Sequence, residues 1–284
     1  MQQIKQIGNR FYYQTPVSET DRPILGMVIG DKKSLMIDAG NSEAHARYFL
    51  EELSEKGIKK PDMVALTHWH WDHIFGLSAL KDAVSLSSHQ TKEEISKLIP
   101  LGWSDDELNE RVKEGTEIEF CANAIKKEFV DHRDITITLP DITFGEKMEI
   151  DLGGVTCILQ PVGGDHASDS VVVYMKEEKI LFLGDCFYPD IFSEETNYTV
   201  NATNQLLDQL ESFDAEWFIL SHGEAISKKD FKNEGKLLRT VASITEECSG
   251  NVTRMQKLYE HNVGRELHEE ELEVIQEFAN GYTM

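Results

Sequence analysis

Residues 67–73 read Thr-His-Trp-His-Trp-Asp-His, with three histidines and an aspartate packed between positions 68 and 73. Neutral imidazoles and carboxylates are the ligands that hold borderline divalent cations such as zinc. His68 and His70 stand two apart, so on extended backbone their side chains fall on one side. Asp72 and His73 follow where a strand gives way to a turn, and can aim at a neighbouring point in space. One short peptide can thus offer two ligands to each of two metals. The competing reading is a histidine-rich surface loop, and the rest of the chain argues against it.

Further metal-capable residues stand where apolar runs end. Gly163-Gly164-Asp165-His166 follows the run that ends at Leu159, Gly184-Asp185 follows residues 180–183, and Ser221-His222-Gly223 follows residues 217–220. Each lies beside a glycine that lets the backbone turn tightly. A single histidine at a strand end is ordinarily a plain loop residue. Positions such as His166, Asp185 and His222, in step with the first cluster, are harder to dismiss.

The elements that must position these residues can be read from the pattern. Residues 11–13, 26–30 and 34–38 read as strands, the last two joined by a turn at Asp31-Lys32-Lys33. Asn41-Ser42 can cap a helix through about Lys56, with Ala44, Tyr48, Phe49 and Leu53 as its apolar stripe and Gly57 as its stop. Residues 63–66 form a short buried strand that delivers its C-terminal end into the histidine cluster, the place where open α/β sheets carry their sites. Residues 83–86 are a further strand, ending near His89. Residues 91–133 are polar and helical, with a capping box at Ser104 and Glu107. Strands resume at 135–139, 155–159, 170–174, 180–183 and 217–220, with a helix near 203–212. From about 228 the chain reads as helical, over 228–247 and 251–278.

At 284 residues there is length for a sizeable core in an α/β protein. The net charge of -23 repels phosphate backbones, which argues against nucleic acid as a partner. No segment reaches membrane-spanning length, and the N-terminus carries no apolar run of a signal peptide. Cys121, Cys157, Cys186 and Cys248 are scattered without CxxC spacing, which reads as a reduced cytoplasmic protein.

The ordered set Thr67-His68-x-His70-x-Asp72-His73, His166, Asp185 and His222, preceded by Asp38 in Ile37-Asp38-Ala39-Gly40, resembles the metallo-β-lactamase superfamily over roughly residues 10–225. That resemblance implies one domain over 1–284 with a four-layer αββα sandwich. The helical stretch at about 91–133 would be an insertion over the site, and about 225–284 a helical C-terminal extension. It also implies that one metal takes His68, His70 and His166, that a second takes Asp72, His73 and His222, and that Asp185 bridges them. Asp38 and Thr67 would steer ligands from outside. The implied chemistry is hydrolysis: a hydroxide shared by two divalent ions attacks an ester, lactone or thioester carbonyl, with Asp72 also moving a proton. Zinc suits the imidazole-rich set, and iron and manganese suit it too. The expected partner is a small-molecule substrate, with no nucleic acid and no membrane.

The branch within the superfamily is less sharply marked. Residues 166–174 are similar to the stretch after the third histidine in the best-known zinc β-lactamases, but Asp185 stands where those have cysteine and Tyr188 where they have lysine. Tyr188 instead resembles the tyrosine with which acyl-homoserine-lactone lactonases bind the substrate carbonyl. Phosphodiester or phosphonate hydrolysis at the same metals is the alternative within enzymes, and a non-catalytic metal-binding ligand sensor the alternative outside them. Phe187, Tyr188, Phe192 and the insertion can form an apolar acyl pocket. His89 is a candidate substrate contact, Lys236 and Arg239 are candidates for a basic cluster, and Cys186 reads as a small buried residue beside Asp185. Trp69 and Trp71 read as packing. His45, His132, His261 and His268 read as surface histidines. Leu267, Leu272, Ile275 and Phe278 make an apolar face that can pack within the chain or form a dimer.

Overall fold

The computed structural model describes residues 2–130 and 133–282. The N-terminal half builds β1 (Ile4–Ile7), β2 (Phe11–Gln14), β3 (Leu25–Ile29), β4 (Ser34–Ile37), α1 (Glu43–Glu55), β5 (Met63–Ala65), α2 (Trp71–Ile74) and β6 (Val84–Ser88). Three helices follow, α3 (His89–Leu98), α4 (Asp105–Glu114) and α5 (Glu119–Glu128), and then β7 (Ile142–Phe144). The C-terminal half holds β8 (Met148–Asp151), β9 (Thr156–Pro161), β10 (Val171–Met175), β11 (Ile180–Gly184), α6 (Val200–Glu211), β12 (Trp217–Leu220), β13 (Ala225–Ser227), α7 (Lys228–Cys248), α8 (Val252–Val263) and α9 (Glu269–Tyr282).

These strands form two sheets, ordered β1-β2-β3-β4-β5-β6-β7 and β13-β12-β11-β10-β9-β8. The alternation of strand side chains explains the four layers. Leu35 and Ile37 of β4, Val171, Val173 and Met175 of β10, and Ile180 and Phe182 of β11 point into one core between the sheets. Their neighbours face outward: Met36 packs in the cluster beneath α1 and α3–α5, while Val172, Tyr174, Leu181 and Leu183 pack beneath α6, α7 and α9. Strands apolar on both faces are what a doubly covered sheet requires, and the result is the αββα sandwich. Each fully buried Leu, Ile or Phe contributes ~1.5–3 kcal/mol to holding it.

Several local expectations are corrected by the packing. Residues 135–139 form no strand; Ile135, Ile137 and Leu139 pack against the cluster that α3–α5 help to form, and β7 takes the sheet edge by pairing Ile142 with Leu86. In α1 the buried face is His45, Ala46, Phe49 and Leu53, so His45 is fully buried and Ala44 exposed. The C-terminal helix breaks into α8 and α9 because Gly264 caps α8 in the left-handed region (φ +69°). Ile275 and Phe278 are wholly buried against their own chain, whereas Leu272 keeps 39% of its surface. His261 and His268 are exposed, and His132 lies outside the described residues. Among the described residues no helix is long and apolar enough to cross a membrane.

Candidate metal centre

The site lies at one edge of the sandwich because parallel strand pairs in both sheets end there. β4 and β5 run parallel with Ile37 beside Ala65, so Asp38 and Thr67 leave the first sheet near one another. Thr67 N–H donates to Asp38 Oδ1 (2.7 Å) and its hydroxyl donates to Oδ2 (2.9 Å). In the second sheet β11 and β12 run parallel with Gly184 beside Leu220, which brings Asp185 next to Ser221-His222. The two edges are tied together: Val171 N–H donates to the Thr67 carbonyl at 2.7 Å. Gly184 is needed twice over there, by its φ of +58° and because a Cβ would lie 2.9 Å from Thr67 Cβ. His70 precedes α2, which carries Asp72 and His73, and His166 stands in the loop between β9 and β10.

All seven candidate ligands converge in two groups, His68, His70 and His166, and Asp72, His73, Asp185 and His222. In the first, His70 Nδ1 lies 3.0 Å from both His68 Nε2 and His166 Nε2. One nitrogen cannot share a proton with both neighbours at once, so these are lone pairs aimed at a common point. The spacing is close to the roughly 3.3 Å set by tetrahedral metal–nitrogen bonds of ~2.0–2.1 Å. In the second, His73 Nε2 lies 3.0 Å from Asp72 Oδ2 and 3.2 Å from Asp185 Oδ2, and His222 Nε2 lies 3.1 and 3.3 Å from the same two atoms. Asp185 Oδ2 is also 3.5 Å from His166 Nε2 and 3.8 Å from His68 Nε2, so one oxygen stands between the groups.

The outward nitrogens show how the rings are held. The Thr67 hydroxyl proton goes to Asp38, which leaves its oxygen to accept from His68 Nδ1–H at 3.1 Å. His73 Nδ1–H donates to Asp38 Oδ2 (2.8 Å), and His166 Nδ1–H donates to the Pro189 carbonyl (3.1 Å). His222 Nδ1 faces Asp21 Oδ1 at 3.4 Å. The first three contacts fix the tautomer that turns Nε2 inward, the arrangement that orients metal-binding imidazoles, and Asp21 stands on the corresponding side of His222.

Charge makes the same case. Burial, then the other imidazoles, lowers His68 and His70 well below the ordinary histidine value, so both are neutral donors. For His73 and His222 burial works the same way, but Asp72 and Asp185 outweigh it and raise both well above the ordinary value. Positive charge is therefore drawn to the place between these carboxylates. Asp72 Oδ2 and Asp185 Oδ1 are buried without a hydrogen-bond partner, as expected of atoms meant for a cation. The residues of both groups fit a divalent metal ion in chemistry and geometry.

The site opens into a cavity of about 300 Å³ lined by Trp71, Phe120, Ile191, Phe192, Pro16 and Pro189 together with ligand side chains. Tyr188 lines it too, its ring 6.2 Å from that of His166 and 6.3 Å from that of His222. Burial and then Asp185 push the Tyr188 phenol up, so it keeps its proton. Phe187 does not join the lining; it is buried against Phe231 beneath the second sheet. Cys186 is fully buried, and burial raises its thiol well above the usual range. His89 is exposed and bonded to Thr143, away from the cavity lining. Arg239 is engaged by Asp208 and Glu211 of α6, and Lys236 is exposed. Trp69 meets His70 edge-on and packs against the helical layer.

Asp21, Phe120 and Cys121 were not legible as site residues. Asp21 follows a short 3-10 helix, Ser18–Thr20, and burial and then Asp72 push its carboxyl up to about 7. No motif marks it; only the fold brings its turn against His222. Phe120 and Cys121 come from α5, whose amphipathic pattern gives a helix but not what its exposed end covers.

A family model described as the metallo-beta-lactamase superfamily matches residues 20–222. No curated protein matches the chain. Among solved structures, a metallo-beta-lactamase from Pontibacter korlensis is 18% identical, with a TM-score of 0.58 over 83% of this chain and 98% of that one. The DIM-1 metallo-beta-lactamase is also 18% identical, with a TM-score of 0.54 over 83% and 95%. The sec-alkylsulfatase Pisa1 from Pseudomonas sp. is 16% identical, with a TM-score of 0.67 over all of this chain and 50% of that one. At these identities the likeness is one of fold.

Proposed function

The chain belongs to the metallo-β-lactamase superfamily, and from that premise we propose that it is a dinuclear metal-dependent hydrolase of ester, lactone or thioester carbonyls. The observation that carries this reading is Asp185 Oδ2, placed between two convergent donor groups at the mouth of an apolar cavity. His68, His70 and His166 would hold one metal, Asp72, His73 and His222 the other, with Asp185 between. When bound, two such metals would lower the pKa of water enough to make it a nucleophile at neutral pH and would polarise the carbonyl whose carbon is attacked. Zinc suits these donors, as do iron and manganese.

The protein's own side chains account for the rest. Asp72, whose Oδ2 faces His73 and His222, can use its other carboxylate oxygen to orient the attacking water and take its proton. The protonated Tyr188 phenol can donate to the substrate carbonyl. Phe120, Ile191, Phe192 and Trp71 exclude water and receive an apolar acyl group. Among the described residues the lining contains no Lys or Arg, the side chains that grip phosphate, which favours a neutral small molecule over a phosphodiester.

The experiment is proton release by the zinc-loaded protein against lactones, thioesters, simple esters, β-lactams and phosphodiesters on one pH readout. The reading expects turnover of one neutral carbonyl class, abolished by a chelator. Turnover confined to phosphodiesters, or none on any substrate with two metals bound, would overturn it.

A further inference from the structure

His222 is the most exposed of the seven ligands, its side chain 25% open where those of His68 and His73 are closed. It stands on a loop after β12, so something outside the metal site must hold its ring. Asp21 faces it from the connection between β2 and β3, with Oδ1 3.4 Å from His222 Nδ1. Asp21 itself lies in the left-handed region at φ +53°, a backbone that aspartate adopts more readily than most side-chain-bearing residues, and it is buried. Its neighbours supply the constraint. Ile24 N–H donates to the Ser221 carbonyl at 2.7 Å, and Arg22 exchanges backbone bonds with Val17. The Arg22 side chain makes a two-pronged ion pair with Glu128 of α5, Nε to Oε2 at 3.0 Å and Nη2 to Oε1 at 2.7 Å. The Glu128 carboxylate is only 4% exposed and also accepts from the Ser42 hydroxyl. A bidentate pair whose carboxylate is buried, with the Arg22 side chain still 22% exposed, constrains geometry more than a pair free in solvent does.

We propose that Asp21 is a positioning residue for His222 and that the Arg22–Glu128 pair sets its place, so that docking of the inserted helix α5 and occupancy of the second metal position are coupled. The proposal rests on His222 being a metal ligand. The dipeptide Asp21-Arg22 then has one side chain on the ligand and the other on the helix whose Phe120 walls the cavity. Coupling of this sort is reciprocal: whatever seats α5 tightens the second metal, and the second metal seats α5.

The test is stepwise zinc binding by the whole protein, read by competition with a chromophoric chelator. Asp21→Gly removes the carboxylate at a backbone conformation glycine adopts freely, and Asp21→Asn keeps an acceptor there. Asp21→Gly is expected to weaken the second zinc about 10- to 100-fold and leave the first unchanged, as loss of an outer partner of a ligand does. Asp21→Asn should restore part of the loss. Glu128→Gln should weaken the same second step by less, and Asp21→Gly with Glu128→Gln should be no worse than Asp21→Gly alone. Unchanged second-step affinity in Asp21→Gly, or full additivity of the two changes, would overturn the proposal. If the unmodified protein takes up fewer than two zinc ions, the metal assignment fails, and the positioning claim is read from ring-nitrogen NMR of His222 in the metal-free protein. A shift of that signal in Asp21→Gly supports it, and an unmoved signal rejects it.

Discussion

Asp38 and His73 meet with 2.8 Å between Oδ2 and Nδ1, both wholly buried, across 35 residues of chain. The same carboxylate accepts from the backbone and hydroxyl of Thr67, and Thr67 in turn holds His68. One aspartate thereby steadies an imidazole in each metal group. Burial pushes its carboxyl up, while His73 and Thr67 pull it back toward the ionised form.

Replacing Asp38 by alanine should therefore act on stability and metal together. It strands the buried Thr67 N–H, at a cost of about 1–3 kcal/mol in denaturant unfolding. It should also weaken zinc about 10- to 100-fold by loosening His73 and His68. A variant as stable and as metal-avid as the parent would show that Asp38 holds nothing.

Asp185 and Asp72 should separate under the same chemical change. Asp185→Asn alters the oxygen shared by both groups, so bound zinc should fall below two per chain along with turnover. Asp72→Asn should keep more of the metal and lose rate by ~10²–10⁴-fold, the usual contribution of a positioned proton acceptor. Metal analysis beside initial rates decides; full activity in metal-loaded Asp185→Asn would remove the basis for a shared ligand.

Tyr188→Phe removes only the phenol oxygen from the cavity wall. If that hydroxyl binds the substrate carbonyl, kcat/KM on lactones should drop roughly two- to tenfold, from a hydrogen bond worth ~0.5–1.5 kcal/mol. Zinc content should not change. Equal kinetics for the two proteins would reduce Tyr188 to an aromatic wall.

Glu277 on α9 gives a pH signature away from the site. Burial, then Glu273, raises its carboxyl to about 7, while its backbone carbonyl accepts from Tyr198 N–H. The folded protein thus holds a proton that the unfolded chain releases near ~4.3. Stability is therefore lost as pH rises from about 4.3 towards 7. Glu277→Gln should remove that loss, so its Tm advantage over the parent should be larger at pH 8 than at pH 5. A pH-independent difference would mean that the carboxyl titrates normally.

Much of the site was legible because its chemistry is local in sequence. Residues 67–73 hold four candidate ligands, and His166, Asp185 and His222 each come after an apolar run that reads as a strand. Strands were legible in runs such as 170–174, while the two-sheet sandwich came only from the family resemblance. Tertiary structure alone decided the rest. That Asp185 lies between the two groups depends on the parallel register of β11 with β12. The apolar pattern at 135–139 was satisfied by helices instead of a sheet, and His45 went inside because α1 turned it inward. Asp21 carries no motif and reaches His222 only through a left-handed turn packed between α5 and the second sheet. Ligand type and strand burial are properties of short segments, which a sequence displays. Which outer residue meets which ligand is set by long-range packing, which it does not.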